Sequence, residues 1–456
     1  MTEPGQTPRT GSPLGEGAEL MASHPRLGVP LPAYRGRSLA NLATSLGAAF
    51  GRGAAELPPL PPLDPDLDPF QGRRPEGPVV VLLVDGLGWS ALLGSAGRVP
   101  DGTASRWLRR ARPLTSVFPT TTTIALTSLS TGAAPGQHGV VGHRVYLPRY
   151  GTVVEVLRMS PLGEPAAETL VGPDWSPSFL SAVPSLFRRG VPGVAISRDQ
   201  FEGTGFTRLI YDGATFVGYF TGGDLAHSLV EVLSRPVPPP LIFAYWDDLD
   251  LAQHLRGPRP RLIDLELERV DALLASVTRR IEPSLARRTT VWMTGDHGQV
   301  PMETERQFVV DREPALLAHL SRPPAGDRRA AYFAARPGHL AALRDELEPR
   351  VPPGGHLIEM PAAVEAGLYG PPPFHPELAE RLGDLLLLLP SPGGMSYTLP
   401  GARPRRHPMR GAHGGLEAAE FLVPLVHGTL AELASDSSNS SGTSHLRQTP
   451  PSREGP

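Results

Sequence analysis

Three stretches of the chain carry an unbroken apolar run that ends in acidic residues. Val79–Val84 precedes Asp85-Gly86-Leu87-Gly88, Leu241–Tyr245 precedes Asp247-Asp248-Leu249-Asp250, and Thr289–Met293 precedes Thr294-Gly295-Asp296-His297-Gly298. Apolar runs of this length without polar alternation fit strands buried on both faces, as in a parallel sheet. Elsewhere the apolar spacing turns helical, over Ala125–Ser130, Trp175–Arg189, Asp224–Ser234 and Arg261–Ile281. Ser38 stands where it caps a further amphipathic helix over Leu39, Leu42, Leu46 and Phe50. This alternation predicts an α/β fold with a mostly parallel central sheet flanked by helices. Ligands in such sheets gather beyond the strands' carboxyl ends, where the three acid clusters fall.

The pattern also divides the chain. Residues 1–21 and 436–456 are rich in Ser, Thr, Gly and Pro and poor in large apolar residues, the composition of disordered tails. The Pro-rich run Leu57–Pro69 reads as an extended linker. Residues 302–400 are turn-rich, with short strands at Ala330–Ala335 and Asp384–Leu389 and helices at Pro337–Leu347 and near Ala362–Leu368. They are expected to form a small α+β cap inserted into a main domain made of 22–301 and 401–432.

Composition narrows the chemistry. The chain has no cysteine, which removes disulfides, thiolate metal sites and cysteine nucleophiles, so any metal must be held by oxygen and imidazole. All 43 basic residues are Arg, and the net charge of -3 offers no electrostatic handle for a nucleic-acid polymer or an anionic membrane. No apolar run approaches the length that spans a bilayer, and the N-terminus lacks the basic-then-apolar order of a secretion signal. A soluble, cytoplasmic protein is the expectation.

Carboxylates and imidazoles arriving from several strand ends are what a pair of divalent cations needs. Asp296 and His297 are adjacent at a strand-to-loop turn, and Asp250 and His254, four apart, share one face of a helical turn. His413 lies in Gly411-Ala412-His413-Gly414-Gly415, whose small neighbours allow close approach. Taken singly, an Asp after a strand is more often a cap or turn residue than a ligand. The ordered set carries the inference. Asp247 and Asp248 compete with Asp250 for its place, and the spacing to His254 favours Asp250.

The set also resembles a known family. Val84-Asp85-Gly86, Phe118-Pro119-Thr120-Thr121-Thr122, Thr131 to Gly139, Tyr245 to His254 with Gly257-Pro258, Gly295-Asp296-His297-Gly298 and Ala412-His413-Gly414 are similar, in order and spacing, to the motifs of the type I phosphodiesterase/nucleotide pyrophosphatase branch of the alkaline-phosphatase superfamily. Bacterial proteins of that superfamily with a Thr nucleophile are included in the likeness. The resemblance implies that Asp85, Asp296, His297 and the nucleophile oxygen hold one metal, and that Asp250, His254 and His413 hold the other. It places the nucleophile three residues after Pro119, at Thr122, with Thr121 and Thr123 as flanking alternatives. It implies two divalent ions, zinc first and manganese or iron as alternatives, and a small phosphoester or nucleotide substrate.

One departure stands out. The branch has an Asn 21 residues after the nucleophile, donating to the phosphoryl oxygen, and here that position is His143. An imidazole N–H also donates, so His143 is expected at the substrate, with Arg144 as the alternative. His138 is expected to shape a turn. The function so implied is hydrolysis of a phosphodiester or phosphoanhydride through a phospho-Thr intermediate. A phosphomonoesterase, a phosphonate hydrolase and a catalytically silent binding module are the alternatives.

Overall fold

The computed structural model describes residues 14–51, 60–399 and 408–434. The expected C-terminal tail and the first part of the N-terminal one lie outside the described residues. The apolar runs become the centre of a seven-stranded sheet. Its strands are β1 (Val79–Val84), β2 (Ala111–Thr115), β3 (Gly193–Arg198), β4 (Thr215–Tyr219), β5 (Leu241–Trp246), β6 (Thr290–Thr294) and β7 (Leu422–Thr429), in the spatial order β2-β7-β6-β1-β5-β3-β4. β7 runs antiparallel to both neighbours, while the pairs from β6 to β4 are parallel. β1, β5 and β6 are buried nearly throughout, as their uninterrupted apolar sequences require.

Around this sheet lie helices α1 (Leu39–Ala49), α2 (Thr122–Thr131), α3 (Gly222–Leu233), α4 (Asp248–Arg256) and α5 (Pro260–Thr278), with α1 packed on α2 and α3 on α5. At the start of α1, the Asn41 side chain accepts the Ser38 N–H at 2.9 Å, the return half of a capping box. The α/β fold with a large sheet flanked by helices is the one expected.

A second seven-stranded sheet covers part of the first domain, and here the expected boundaries shift. It contains the cap strands His356–Glu359, Leu385–Leu388, Ala330–Phe333 and Ala325–Gly326, but continues into Arg144–Leu147, Thr152–Glu155 and Ser160–Pro161. The segment after the Thr run therefore shares one sheet with the cap. A separate small core of Val310, Leu316, Phe333, Leu343, Leu347 and Leu387 lies beneath it.

Other expectations meet local corrections. Trp175–Arg189 is irregular rather than helical, with only a 3-10 turn at Pro177–Phe179. Pro177 and Pro184 interrupt it, and Ser176, Ser181 and Ser185 spend their hydroxyls on nearby backbone or on Asp212. The expected tail ends sooner than residue 21: Gly15–Met21 forms a 3-10 helix, and the Trp89 indole donates to the Leu14 carbonyl at 2.9 Å. In the Pro-rich run, Leu60, Leu63 and Leu67 are buried, and the Leu63 N–H is bound to Ser45 at 2.9 Å. That part packs on α1 and is no free linker.

No helix among the described residues is long and apolar enough to cross a membrane.

Candidate active site

Parallel register brings the acids together. Leu83 of β1 pairs with Tyr245 on one side and Thr294 on the other, so three adjacent strands end at one level, just short of Asp85, Asp247 and Asp296. The Asp85 N–H continues the ladder to the Trp246 carbonyl at 2.8 Å. After β5 the chain turns at once into α4, which carries Asp250 and His254 one turn apart. His413 follows the short strand Gly411–Ala412, which pairs with Val300–Pro301 beyond β6.

Two clusters of candidate metal ligands result. Asp85, Asp296 and His297 form one, and Asp250, His254 and His413 the other, each offering ligand atoms within 4.8 Å of one another. His297 Nε2 lies 3.2 Å from Asp296 Oδ2 and 3.6 Å from Asp85 Oδ1. His254 Nε2 lies 3.3 Å from Asp250 Oδ2 and 3.2 Å from His413 Nε2. The clusters adjoin, because the His297 and His413 rings stack with centroids 3.7 Å apart.

The groups around the ligands fix their orientation. His254 Nδ1 faces the Gly411 carbonyl at 3.0 Å, His413 Nδ1 the Thr120 carbonyl at 2.9 Å, and His297 Nδ1 the Gly298 carbonyl at 3.1 Å. A carbonyl only accepts, so each Nδ1 carries the proton and each Nε2 is left to turn its lone pair inward. Asp296 Oδ1 accepts from the Gly86 and His297 N–H groups, both at 3.0 Å. Tyr245 donates to Asp85 Oδ2, and the Gln299 amide donates to Asp250 Oδ1. Gly298 is required by packing, since a Cβ there would lie 2.0 Å from the Ala419 carbonyl oxygen.

What remains unsatisfied fits a cation. Asp85 Oδ1 and Asp296 Oδ2 are buried and have no hydrogen-bond donor. Burial, followed by the charges of Asp296 and Asp250, pushes the Asp85 carboxyl well above the usual carboxylate range. Burial and the neighbouring His297 and His254 push the His413 imidazole well below its usual range. Converging carboxylates and unprotonated ring nitrogens are costly alone and are relieved by divalent cations.

Thr122 starts α2, and its hydroxyl lies 3.2 Å from His297 Nε2. Its neighbours are otherwise engaged: Thr123 donates to the Gly142 carbonyl at 3.1 Å, and Thr120 to the Gly415 carbonyl at 2.9 Å. Arg198 binds Asp247 at 2.7 Å and also Asp248, which leaves Asp250 as the acid of that segment in a cluster. His143 is near enough to His413 to act on it electrostatically. Arg144 instead pairs with Glu155 at 3.2 Å and donates to the Tyr397 carbonyl at 3.1 Å. His138, between the Ser128 hydroxyl and the Val140 N–H at 3.0 Å each, shapes the turn after α2.

Tyr245, Gln299 and Asp327 are neighbours of the site that sequence reasoning did not single out. Tyr245 reads as one more apolar residue of β5, and Gln299, two residues past His297, carries no distinguishing pattern. Asp327 comes from the turn-rich cap, where no periodicity points to it.

The fold is that of the alkaline-phosphatase superfamily, with a large helix-flanked sheet and the site beyond its strand ends. Murine ectonucleotide pyrophosphatase/phosphodiesterase 5 is similar in structure, with a TM-score of 0.58 and 18% identity over 76% of this chain and 87% of that one. The inactive form of the murine protein in complex with AMP gives 0.57 and 17% over 77% and 87%, and the human protein 0.54 and 15% over 76% and 87%. No curated protein matches in sequence. Residues 79–416 match the family model described as type I phosphodiesterase / nucleotide pyrophosphatase, and the chain belongs to that family of hydrolases.

Proposed function

We propose that the protein is a two-metal phosphodiesterase or nucleotide pyrophosphatase that works through a phospho-Thr122 intermediate. The observation that carries this reading is the pair of adjoining ligand clusters with the Thr122 hydroxyl 3.2 Å from His297. Asp85, Asp296, His297 and Thr122 would hold one ion, and Asp250, His254 and His413 the other. Zinc suits this set of carboxylates and imidazoles, as do manganese and iron. Bound there, two divalent ions supply charge neutralisation for the phosphoryl group and favour the ionised hydroxyl.

The chain's own residues supply the rest. Thr122 Oγ1 attacks phosphorus, forming the Oγ1–P bond as the bond to the leaving oxygen breaks, and its proton goes to solvent. The first backbone N–H groups of α2 lie beside the attacking oxygen and favour the negative phosphoryl oxygens. His143 replaces the family's Asn as a donor to one of them. Water then attacks the phosphothreonine from the opposite side and restores the hydroxyl. The AMP bound to the inactive form of the murine relative supports a nucleotide among the candidate substrates. Both ligand clusters and the hydroxyl are present together, which weighs against a silent binding module.

Acid quenching of metal-replete protein during turnover of bis-nitrophenyl phosphate, followed by peptide mass spectrometry, tests the covalent step. The expected result is a phosphoester adduct on Thr122; active protein with no adduct on the Thr120–Thr123 run would rule out the covalent route.

A further inference from the structure

One carboxylate beside the nucleophile is not used by either ligand cluster. Asp327 stands at a turn closed by its own N–H to the Ala330 carbonyl at 2.8 Å, between the cap strands Ala325–Gly326 and Ala330–Phe333. Gly326 pairs with Arg144, so the same turn lies at the strand end that carries His143. Gly414, next to His413, has a φ of +116°, and a Cβ there would lie 3.0 Å from Asp327 Cβ and Cγ. Only glycine in this position admits the carboxylate against the ligand loop. Burial raises the Asp327 carboxyl above its ordinary value, opposed by the Arg328 N–H and by Thr121, the residue before the nucleophile, which is in contact with the Asp327 side chain; His297 is near enough to act on its charge. Asp327 Oδ1 accepts the Arg328 N–H at 2.7 Å, while Oδ2 is shielded from solvent and has no donor.

We propose that Asp327 is a charge-selecting residue, whose carboxylate sets the phosphoryl site for a group with one negative charge, as in a diester, and against the dianion of a monoester. The inference rests on the phosphodiesterase reading and specifies its substrate class. Two divalent ions by themselves favour the more highly charged phosphoryl group. A fixed carboxylate against Thr121, the residue before the nucleophile, opposes that preference. At a partly solvated site, one further unit charge held nearby changes binding by at least about tenfold, enough to decide between the two charge states. The cap, rather than the sheet that carries the metal ligands, would thus set the class of ester.

Asp327→Asn preserves size and the acceptor for the Arg328 N–H while removing the charge. The ratio of kcat/KM for nitrophenyl phosphate to that for bis-nitrophenyl phosphate, measured where the monoester is a dianion, is expected to rise at least about tenfold in this variant. Asp327→Glu is expected to keep the ratio near that of the unaltered protein. Calorimetric titration with inorganic phosphate on metal-loaded protein gives a second reading, with about tenfold tighter binding expected in Asp327→Asn. An unchanged ratio, with both rates falling together, would show that Asp327 only supports the turn and would overturn the inference. If the unaltered protein hydrolyses neither ester, the phosphodiesterase reading fails separately. The phosphate titration then still decides the charge effect, and unchanged affinity overturns it.

Discussion

The three histidines of the two clusters share one device: a backbone carbonyl holds each Nδ1, so each Nε2 faces the cluster. The carboxylates are held in the same way, Asp85 by Tyr245 and Asp250 by Gln299. Burial and the adjacent Asp85 push the Tyr245 hydroxyl's proton affinity well up, so it remains a donor. Tyr245→Phe should therefore weaken metal binding about 10- to 100-fold, read by competition with a chromogenic chelator. Thr122→Ala should reduce turnover by about a thousandfold or more while leaving metal content near normal. Thr121→Ala retaining most of the rate would support the register, and the reverse result would move the nucleophile by one residue. At this scale the residues of the two clusters were legible because chemistry and spacing coincide at Asp250/His254 and Asp296/His297. Tyr245 and Gln299 were not, since their roles depend on which neighbour the fold supplies.

At the scale of elements, the strands that carry acids were the most legible part of the chain. Val79–Val84 is found with the expected limits, and the other two runs shift by a residue, because six apolar residues bounded by turn chemistry leave little choice. The Trp175–Arg189 reading failed because periodicity weighs apolar positions and ignores hydroxyls that bind backbone. The contact between cap and main domain was not legible either. There, Arg329 is buried with Glu420, at 2.9 and 3.0 Å from Nε, and its outer nitrogen reaches Glu417 at 2.7 Å. Glu420 also accepts the Gly415 N–H at 3.0 Å, two residues from His413. Arg329→Met leaves that carboxylate buried without its cation, and a loss of about 3–5 kcal/mol in chemical denaturation is expected. Metal affinity should fall with it, because the His413 loop loses its anchor.

Over the whole molecule, two sheets share one active site, and the second draws strands from both sides of the main domain's sequence. The expected boundary at residue 302 followed a change in composition, whereas strand pairing across nearly two hundred residues leaves no local mark. Arg381 of the cap binds the Gly139 and Leu180 carbonyls at 2.8 and 2.6 Å, and His138 and His375 are buried beside it. Burial, then Arg381, lowers His375 to about 4, and His138 is pushed well below its usual value. Both pKa values are lower in the folded than in the unfolded chain, so the unfolded chain binds more protons as pH falls below about 6.5. The contribution of His375 to stability is complete above that pH and is lost towards about pH 4, and that of His138 is lost in the same direction as pH falls. Thermal denaturation should show the melting temperature falling across that window, with a shallower fall in His375→Gln.

Two divalent ions together with Thr122 are proposed to make this family member a phosphoester hydrolase. The rate of bis-nitrophenyl phosphate hydrolysis by one preparation, measured zinc-replete, after chelation, and after zinc is restored, tests this. Turnover should disappear with chelation and return as two ions per chain are added back; metal-replete protein with no turnover, or a rate indifferent to chelation, would rule out the two-metal mechanism.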